Sequence, residues 1–272
     1  MAGCNGDCSN CKEKCEKQDL IIKTNNMSFI NKKIGIVSGK GGVGKSLVTS
    51  LLASCAAKNG YKVSVLDGDI LGPSIPKMFG ISAKAYGDAS GKFIIPANGP
   101  LNIDVISSSM LLENDSDPII WRGSMVSSII KQFYSDVIYG EQDIMFIDMP
   151  PGTGDVPLTI FQSIPLDGII IVTSPQDLVS MIVEKAIKMA NMMNIPILAI
   201  VENYSYIVCP DCNKKIELFG PSKNKEKAKE HNIPFYISLP LNPEIASYCD
   251  NGKVYLSDTS EFDDIIGYIF EK

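Results

Sequence analysis

Ile34-Gly35-Ile36-Val37-Ser38-Gly39-Lys40-Gly41-Gly42-Val43-Gly44-Lys45-Ser46 is the stretch on which the fold turns. A β-branched run leads into G-x-x-x-x-G-K-[ST], and an amphipathic stretch from Ser46 to Asn59 follows and stops at Gly60. Strand, glycine-rich loop and helix in that order are the context a phosphate-binding loop requires. The glycines let backbone N–H groups close around phosphates, and the helix N-terminus adds positive potential. Lys45 supplies a point charge and Ser46 a magnesium ligand, so Gly39, Lys40, Gly41, Gly42, Val43, Gly44, Lys45, Ser46 and Leu47 form the expected nucleotide-binding stretch.

Outward from the loop, short β-branched runs alternate with longer amphipathic ones. The pattern predicts an α/β fold, a mostly parallel central sheet flanked by helices. Strands are expected at Ile34–Ser38, Lys62–Asp67, Ile103–Ser107, Asp143–Asp148, Gly168–Thr173, Ile195–Val201 and Pro234–Ser238. Helices are expected at Ser46–Asn59, Gly123–Tyr139 and Asp177–Asn194, and Gly80–Pro100 reads as a hairpin or loop excursion. Residues 1–28 lack periodicity and carry four cysteines, which marks a metal-binding extension with a polar linker through Asn25 and Asn26. Residues 29–272 then form the globular domain, its first strand starting near Lys33.

Acidic residues close two of the strands. Asp67 and Asp69 follow Val65-Leu66, where ligands bind in open parallel sheets, and Asp67 suits magnesium or its water shell. Asp148, after Met145-Phe146-Ile147, reads as the carboxylate that holds magnesium through water. Pro150-Pro151-Gly152-Thr153-Gly154-Asp155 comes next, a backbone able to move toward or away from a γ-phosphate. The guanine signature N-K-x-D is absent, whereas Asn203 follows a strand and can meet an adenine edge, so ATP is favoured over GTP.

Six of the eight cysteines fall in two clusters. Cys209-Pro210-Asp211-Cys212 offers two thiolates where a closed site needs four; a two-fold dimer pools two such pairs into a shell for a cubane cluster. Zinc accepts the same ligands, and spacing alone does not separate the two; a redox dithiol is a third reading. Cys4, Cys8, Cys11 and Cys15 have the spacing C-x3-C-x2-C-x3-C, near the bacterial ferredoxin run, with a zinc knuckle as alternative. Cys55 and Cys249 read as buried core thiols, His231 as a surface residue, and Met189, Met192 and Met193 as core packing.

The 272 residues are 45% hydrophobic and 21% charged, enough for one large domain, with a net charge of −6. No apolar run is long enough to span a bilayer, and the N-terminus lacks a secretory h-region, so a cytoplasmic location is expected. A basic stripe with interleaved aromatics is missing, which disfavours bulk nucleic-acid binding.

The form K-G-G-V-G-K-S resembles the deviant Walker A group of septum-site and partition ATPases, the nitrogenase iron protein and the Mrp/ApbC cluster carriers, P-loop NTPases of SIMIBI type. In that group the first lysine, here Lys40, reaches across a dimer interface to the partner's nucleotide, and Asp69 positions or deprotonates the attacking water. From Lys33 onward the chain resembles the Mrp/ApbC family in particular, through Ser38–Ser46, Asp67–Pro76, Trp121–Met125, Asp148–Val156 and Glu202–Cys212. The resemblance implies a homodimer, a labile 4Fe–4S cluster bridged by Cys209 and Cys212 of both subunits, and ATP-linked delivery from an assembly donor to apoproteins. Lys40, Lys45 and Asp69 would then be catalytic. Ser124, Tyr204 and Asn213 depart from the family's proline, methionine and glycine. The rivals are a MinD/ParA-type spatial regulator, disfavoured by the acidic C-terminus at Glu261, Asp263, Asp264 and Glu271, and a zinc-binding P-loop ATPase.

Overall fold

The computed structural model describes residues 21–271 apart from Leu71, 112–122 and Thr153. Cys4, Cys8, Cys11, Cys15 and Trp121 lie outside the described residues. The strands are β1 Ser28–Ser38, β2 Val63–Asp67, β3 Tyr86–Gly87, β4 Ile94–Ile95, β5 Ala97–Asn98, β6 Asp104–Ile106, β7 Gly140–Asp148, β8 Gly168–Thr173, β9 Ile197–Val208, β10 Lys215–Ile216 and β11 Phe235–Pro240. The helices are α1 Lys45–Lys58, α2 Ile75–Met78, α3 Gly123–Ser135, α4 Asp155–Ser163, α5 Asp177–Met192, α6 Asn224–Glu230, α7 Pro243–Asp250 and α8 Asp263–Glu271.

The main sheet runs β10-β9-β8-β1-β7-β2-β6-β5, with β11 on β9; its pairings are parallel except at β5 and β10. Period-2 alternation of apolar residues decides which side chains go where. Ile34 and Ile36, Ile144 and Phe146, and Ile170 and Val172 join the core under α1 and α8. Val37, Met145 and Ile147, and Ile169 and Ile171 join the core on the other face, with Ile130 and Phe133 of α3 and Ile187 of α5. Both faces are therefore covered, as a parallel sheet requires.

All seven expected strands are present, and Gly80–Pro100 holds the antiparallel β3–β4 hairpin. Three boundaries differ by four residues or more. β1 begins at Ser28, six residues early, because Ser28–Lys32 pair with Gly140–Ile144. The polar stretch before it is fastened to the domain, since the Asn25 side chain donates to the carbonyls of Ser135 and Val137. Helix α3 stops at Ser135, freeing Val137 to bridge to Ile94.

β9 continues seven residues past Val201, through the polar Glu202, Asn203 and Ser205. Asn194, at φ 55, lies in the left-handed conformation that asparagine tolerates just after α5. Of the three methionines assigned to the core, Met192 is instead exposed. Among the described residues no helix is long and apolar enough to cross a membrane.

Phe146 sits at the centre of the sheet with no exposed surface. Phe146→Ala should cost about 3–5 kcal/mol of unfolding free energy in urea denaturation; a loss under about 1 kcal/mol would show that the central strand is not packed as described.

Candidate functional site

β1 lies between β7 and β8, and the chain leaves it for α1 and then β2 on the far side of β7. That arrangement opens a crevice beyond the carboxyl ends of the strands. Into it the register brings two carboxylates, because Asp148 pairs with Asp67 and with Ile36 across adjacent strands. Gly68 is needed at this junction: its N–H donates to the Asp148 carbonyl at 2.8 Å, and a Cβ there would meet that same oxygen at 2.8 Å.

Asp148 is fully buried and receives three side chains from the start of α1. Lys45 Nζ lies 2.6 Å from Oδ2, Ser46 Oγ donates to Oδ2 at 2.6 Å, and Thr49 Oγ1 donates to Oδ1 at 2.7 Å. Asp67, also buried, accepts from Ser107 Oγ at 3.0 Å. Burial and the neighbouring Asp148 charge push its carboxyl up to about 7, against the pull of Lys45. Asp69 is less enclosed, with Oδ2 4.0 Å from Lys45 Nζ; burial raises its carboxyl above the usual range. Ser46, Asp148 and Asp67 make a set of hard oxygen donors that suits magnesium. Thr49 was not foreseen, although hydroxyls at 46, 49 and 50 in an otherwise apolar helix are the signal for it.

The phosphate loop needs its glycines where it turns into the helix. Gly44 is the residue before α1 at φ 82, and a Cβ there would collide with the Asn203 amide. Asn203 is not beyond a strand but inside β9, buried, with Nδ2 donating to the Val43 carbonyl at 3.1 Å. Next to it Tyr204 adopts φ 58 and lines the site. A cavity of about 650 Å³ extends from Gly41, Lys45, Ser46 and Asn203 to Leu239–Pro243 and Glu261, a wall the sequence did not announce. Cys249 also lines it, partly buried and packed against the core rather than enclosed within it. Lys40 is exposed and borders a separate cavity of about 170 Å³ with Tyr204, Leu218 and Phe219. In the segment after Asp148, the Gly152 N–H donates to the Ser38 carbonyl at 2.8 Å.

β9 carries the chain from this site to the cysteines. Cys209 N donates to the Lys214 carbonyl at 3.0 Å and Asn213 N to the Cys209 carbonyl at 2.9 Å, closing a tight hairpin between β9 and β10. Asn213 takes φ 56 there, so asparagine fills a left-handed position that glycine would otherwise hold. Backbone N–H groups of Asp211 and Cys212, and the Cys212 side chain, lower the Cys209 thiol below its ordinary value. Cys212 is exposed. Just before the hairpin, buried Glu202 accepts from Ser205, Ser222, Asn224 and Tyr236, which ties β9 to the chain beyond the cysteines and to β11. Among the described residues no three or more His, Cys, Asp or Glu side chains gather as a metal site. Cys55 is buried, and burial with the Asp263 carboxylate pushes it up to about 12. His231 is half-buried at the end of α6, with Nε2 3.1 Å from Glu184.

Two in-register carboxylates facing a loop that opens a buried helix make this a P-loop NTPase. More narrowly, the chain belongs to the NUBPL iron-transfer P-loop NTPase family within the ParA group, whose sequence profile matches residues 29–272. Relatives called iron-sulfur cluster carrier protein include one from Methanocaldococcus jannaschii, 45% identical over 100% of this chain and 98% of its own. Another, from Clostridium perfringens, is 42% identical over 91% of this chain and 93% of its own. A nucleotide-binding protein of Archaeoglobus fulgidus, solved in complex with ADP, superposes with a TM-score of 0.77 at 39% identity, covering 86% of this chain and 91% of that one. The cell-division ATPase MinD of Pyrococcus furiosus shares the fold at a TM-score of 0.58 and 18% identity, covering 89% of this chain and 98% of its own.

The cysteine environments predict an order of reactivity, because the thiolate is the species that reacts. Among Cys209, Cys249 and Cys55 in metal-free folded protein at pH 7.5, iodoacetamide should label Cys209 first, Cys249 more slowly, since burial and Asp250 raise it, and Cys55 only on unfolding. Raising the pH should speed labelling of Cys249 by about tenfold per unit, while that of Cys209 levels off sooner. Peptide mass spectrometry reads the order, and labelling of Cys55 as fast as Cys209 would contradict it.

Proposed function

We propose that this chain is a cytoplasmic ATPase that carries a 4Fe–4S cluster, held between two copies of the chain and passed from an assembly donor to iron–sulfur apoproteins. The observation that carries the reading is the continuity of β9, which runs from Asn203 on the phosphate loop to the cysteine hairpin six residues on. A cubane needs about four protein ligands. One chain offers two at this hairpin, and two-fold symmetry supplies the other pair. The names of the relatives favour iron–sulfur over zinc at the same thiolates. The extension 1–28, with Cys4, Cys8, Cys11 and Cys15, holds a second cluster or zinc, beside a P-loop domain over residues 29–272.

ATP occupies the larger cavity, its phosphates on Gly39–Leu47 and its base near Asn203. Ser46 and Asp148, with Asp67 behind them, hold magnesium, which screens the phosphate charge when bound. Lys45, paired with Asp148 before the nucleotide arrives, turns to the phosphate oxygens. Asp69, whose carboxyl burial raises above its ordinary range, orients the attacking water. Lys40, exposed beside the loop, extends to the nucleotide of the partner. A spatial regulator of the MinD type would use the same fold but leaves the cysteine hairpin without work; DNA or membrane binding by iron-free protein at physiological salt would favour it.

Two variants separate the activities. Lys45→Ala should lower ATP hydrolysis at least about 100-fold while anaerobic reconstitution still loads iron and sulfide. Cys209→Ala should lose the cluster absorbance and keep nucleotide binding. If Cys209→Ala retains its full iron and sulfide with Cys4, Cys8, Cys11 and Cys15 also replaced by serine, the reading fails.

A further inference from the structure

The cysteines stand on a loop with almost no packing of its own. Every residue from 210 to 219 is exposed, and Cys209 is only half-buried. The backbone pairs Val208–Lys215 and Ile207–Ile216, with the Lys215 ammonium 4.2 Å over the Tyr206 ring, close the hairpin on itself. Apolar burial does not fix where such a loop points, which leaves the polar anchors at its two roots. Those anchors meet on one carboxylate. Glu202, 1% exposed, accepts on Oε1 from Ser205 Oγ at 2.8 Å and Tyr236 Oη at 3.0 Å, and on Oε2 from Ser222 Oγ and from Asn224 Nδ2 at 2.5 Å. A carboxylate has room for about four such donors, so this one is saturated. Ser205 precedes the cysteines, Ser222 and Asn224 follow them, and Tyr236 belongs to β11. Asn224 Nδ2 also lies 3.5 Å from the Ser174 carbonyl just past β8.

We propose that Glu202 is the positioning residue of the cluster site: by holding both roots of the hairpin it fixes the direction in which Cys209 and Cys212 are presented. The inference deepens the shared-cluster reading and rests on it for what the cysteines hold. A shell completed by two separate thiolate pairs requires each pair to be set beforehand, to within about 0.5 Å, by the structure that supports it. With loose roots, the ordering of the exposed loop has to be drawn from the metal–sulfur bonds, and a cluster bound that way is released more readily. A carboxylate suits this task better than an apolar side chain, since four hydrogen bonds from separate segments specify a direction and hydrophobic burial does not. Glutamine at 202 keeps the shape but turns an NH2 group toward one pair of donors. Side chains alternate along β9, so Asn203, which holds the Val43 carbonyl, leaves the strand on the opposite side from Glu202. The hold on the hairpin is therefore separable from the hold on the phosphate loop.

The test uses the full chain with Cys4, Cys8, Cys11 and Cys15 replaced by serine, so that iron reports on Cys209 and Cys212 alone. Into it go Glu202→Gln and, as a milder change that removes one donor from each oxygen, Ser222→Ala/Tyr236→Phe. After anaerobic reconstitution, both variants should lose iron to a ferrous chelator at least ~10-fold faster than the parent chain. The visible circular dichroism of the cluster, which reports how the thiolates are disposed around it, should change shape. In iron-free protein, amide exchange should quicken within residues 205–224 and nowhere else, with ADP affinity unchanged. Chelation within ~2-fold of the parent in both variants overturns the proposal. So does exchange that quickens equally in β1 and β7 with weaker ADP binding, because Glu202 would then serve global stability only. If the parent itself takes up no iron while the variants still loosen 205–224 alone, the cluster reading fails and the hold of Glu202 on the hairpin stands.

Discussion

A buried carboxylate is costly unless its charge is answered, and Asp148 is answered entirely from the first turns of α1. Lys45, Ser46 and Thr49 all reach it, so side chains that open the helix after the phosphate loop also bolt that helix to the central strand. Strand order follows from the same constraint. β7 must lie beside β1 for Asp148 to stand under the loop, and β2 beside β7 for Asp67 and Asp69 to reach the same crevice. Before the site is occupied Lys45 and two hydroxyls answer Asp148, while Asp67 keeps a carboxyl raised by burial and by that neighbouring charge. A triphosphate with its metal would exchange those partners for new ones.

β9 is the second organising element. Its first half is an ordinary buried parallel strand, and its second half does two jobs within seven residues. Asn203 closes on the Val43 carbonyl, while Glu202 gathers Ser205, Ser222, Asn224 and Tyr236. The Glu202 side chain thus anchors both sides of the cysteine hairpin, entering and leaving, to one rigid strand. The Val43 carbonyl of the phosphate loop and the cysteine hairpin are thus joined to one strand, at Asn203 and at its end beyond Val208.

Much of this was legible in the residues. The Ile34–Ser46 stretch announces strand, loop and helix because glycine, lysine and β-branched residues act locally, and Asp67 and Asp148 follow strands whose apolar runs are unambiguous. The second half of β9 was not, since Glu202, Asn203 and Ser205 look like loop residues until distant partners appear: Asn224 of α6 and Tyr236 of β11 for Glu202, the Val43 carbonyl for Asn203, and Glu202 in turn for Ser205. Ser28–Lys32 hid for a similar reason: their strand character comes from pairing with β7 and not from their own composition. The wall at Leu239–Pro243 and the position of Cys249 depend on where α7 packs, for which no local motif exists. Conversely, Asn213 and Tyr204, which depart from the family's usual residues, both sit at positive φ, and for asparagine that conformation explains why it can stand in for glycine.

Native mass spectrometry of the chain with Cys4, Cys8, Cys11 and Cys15 replaced by serine, reconstituted anaerobically, tests the shared shell most directly. The account predicts a dimer that carries one cluster of about four irons and no cluster-bearing monomer. A monomer holding iron and sulfide at Cys209 and Cys212, or a dimer holding only zinc after reconstitution with iron and sulfide, would contradict it.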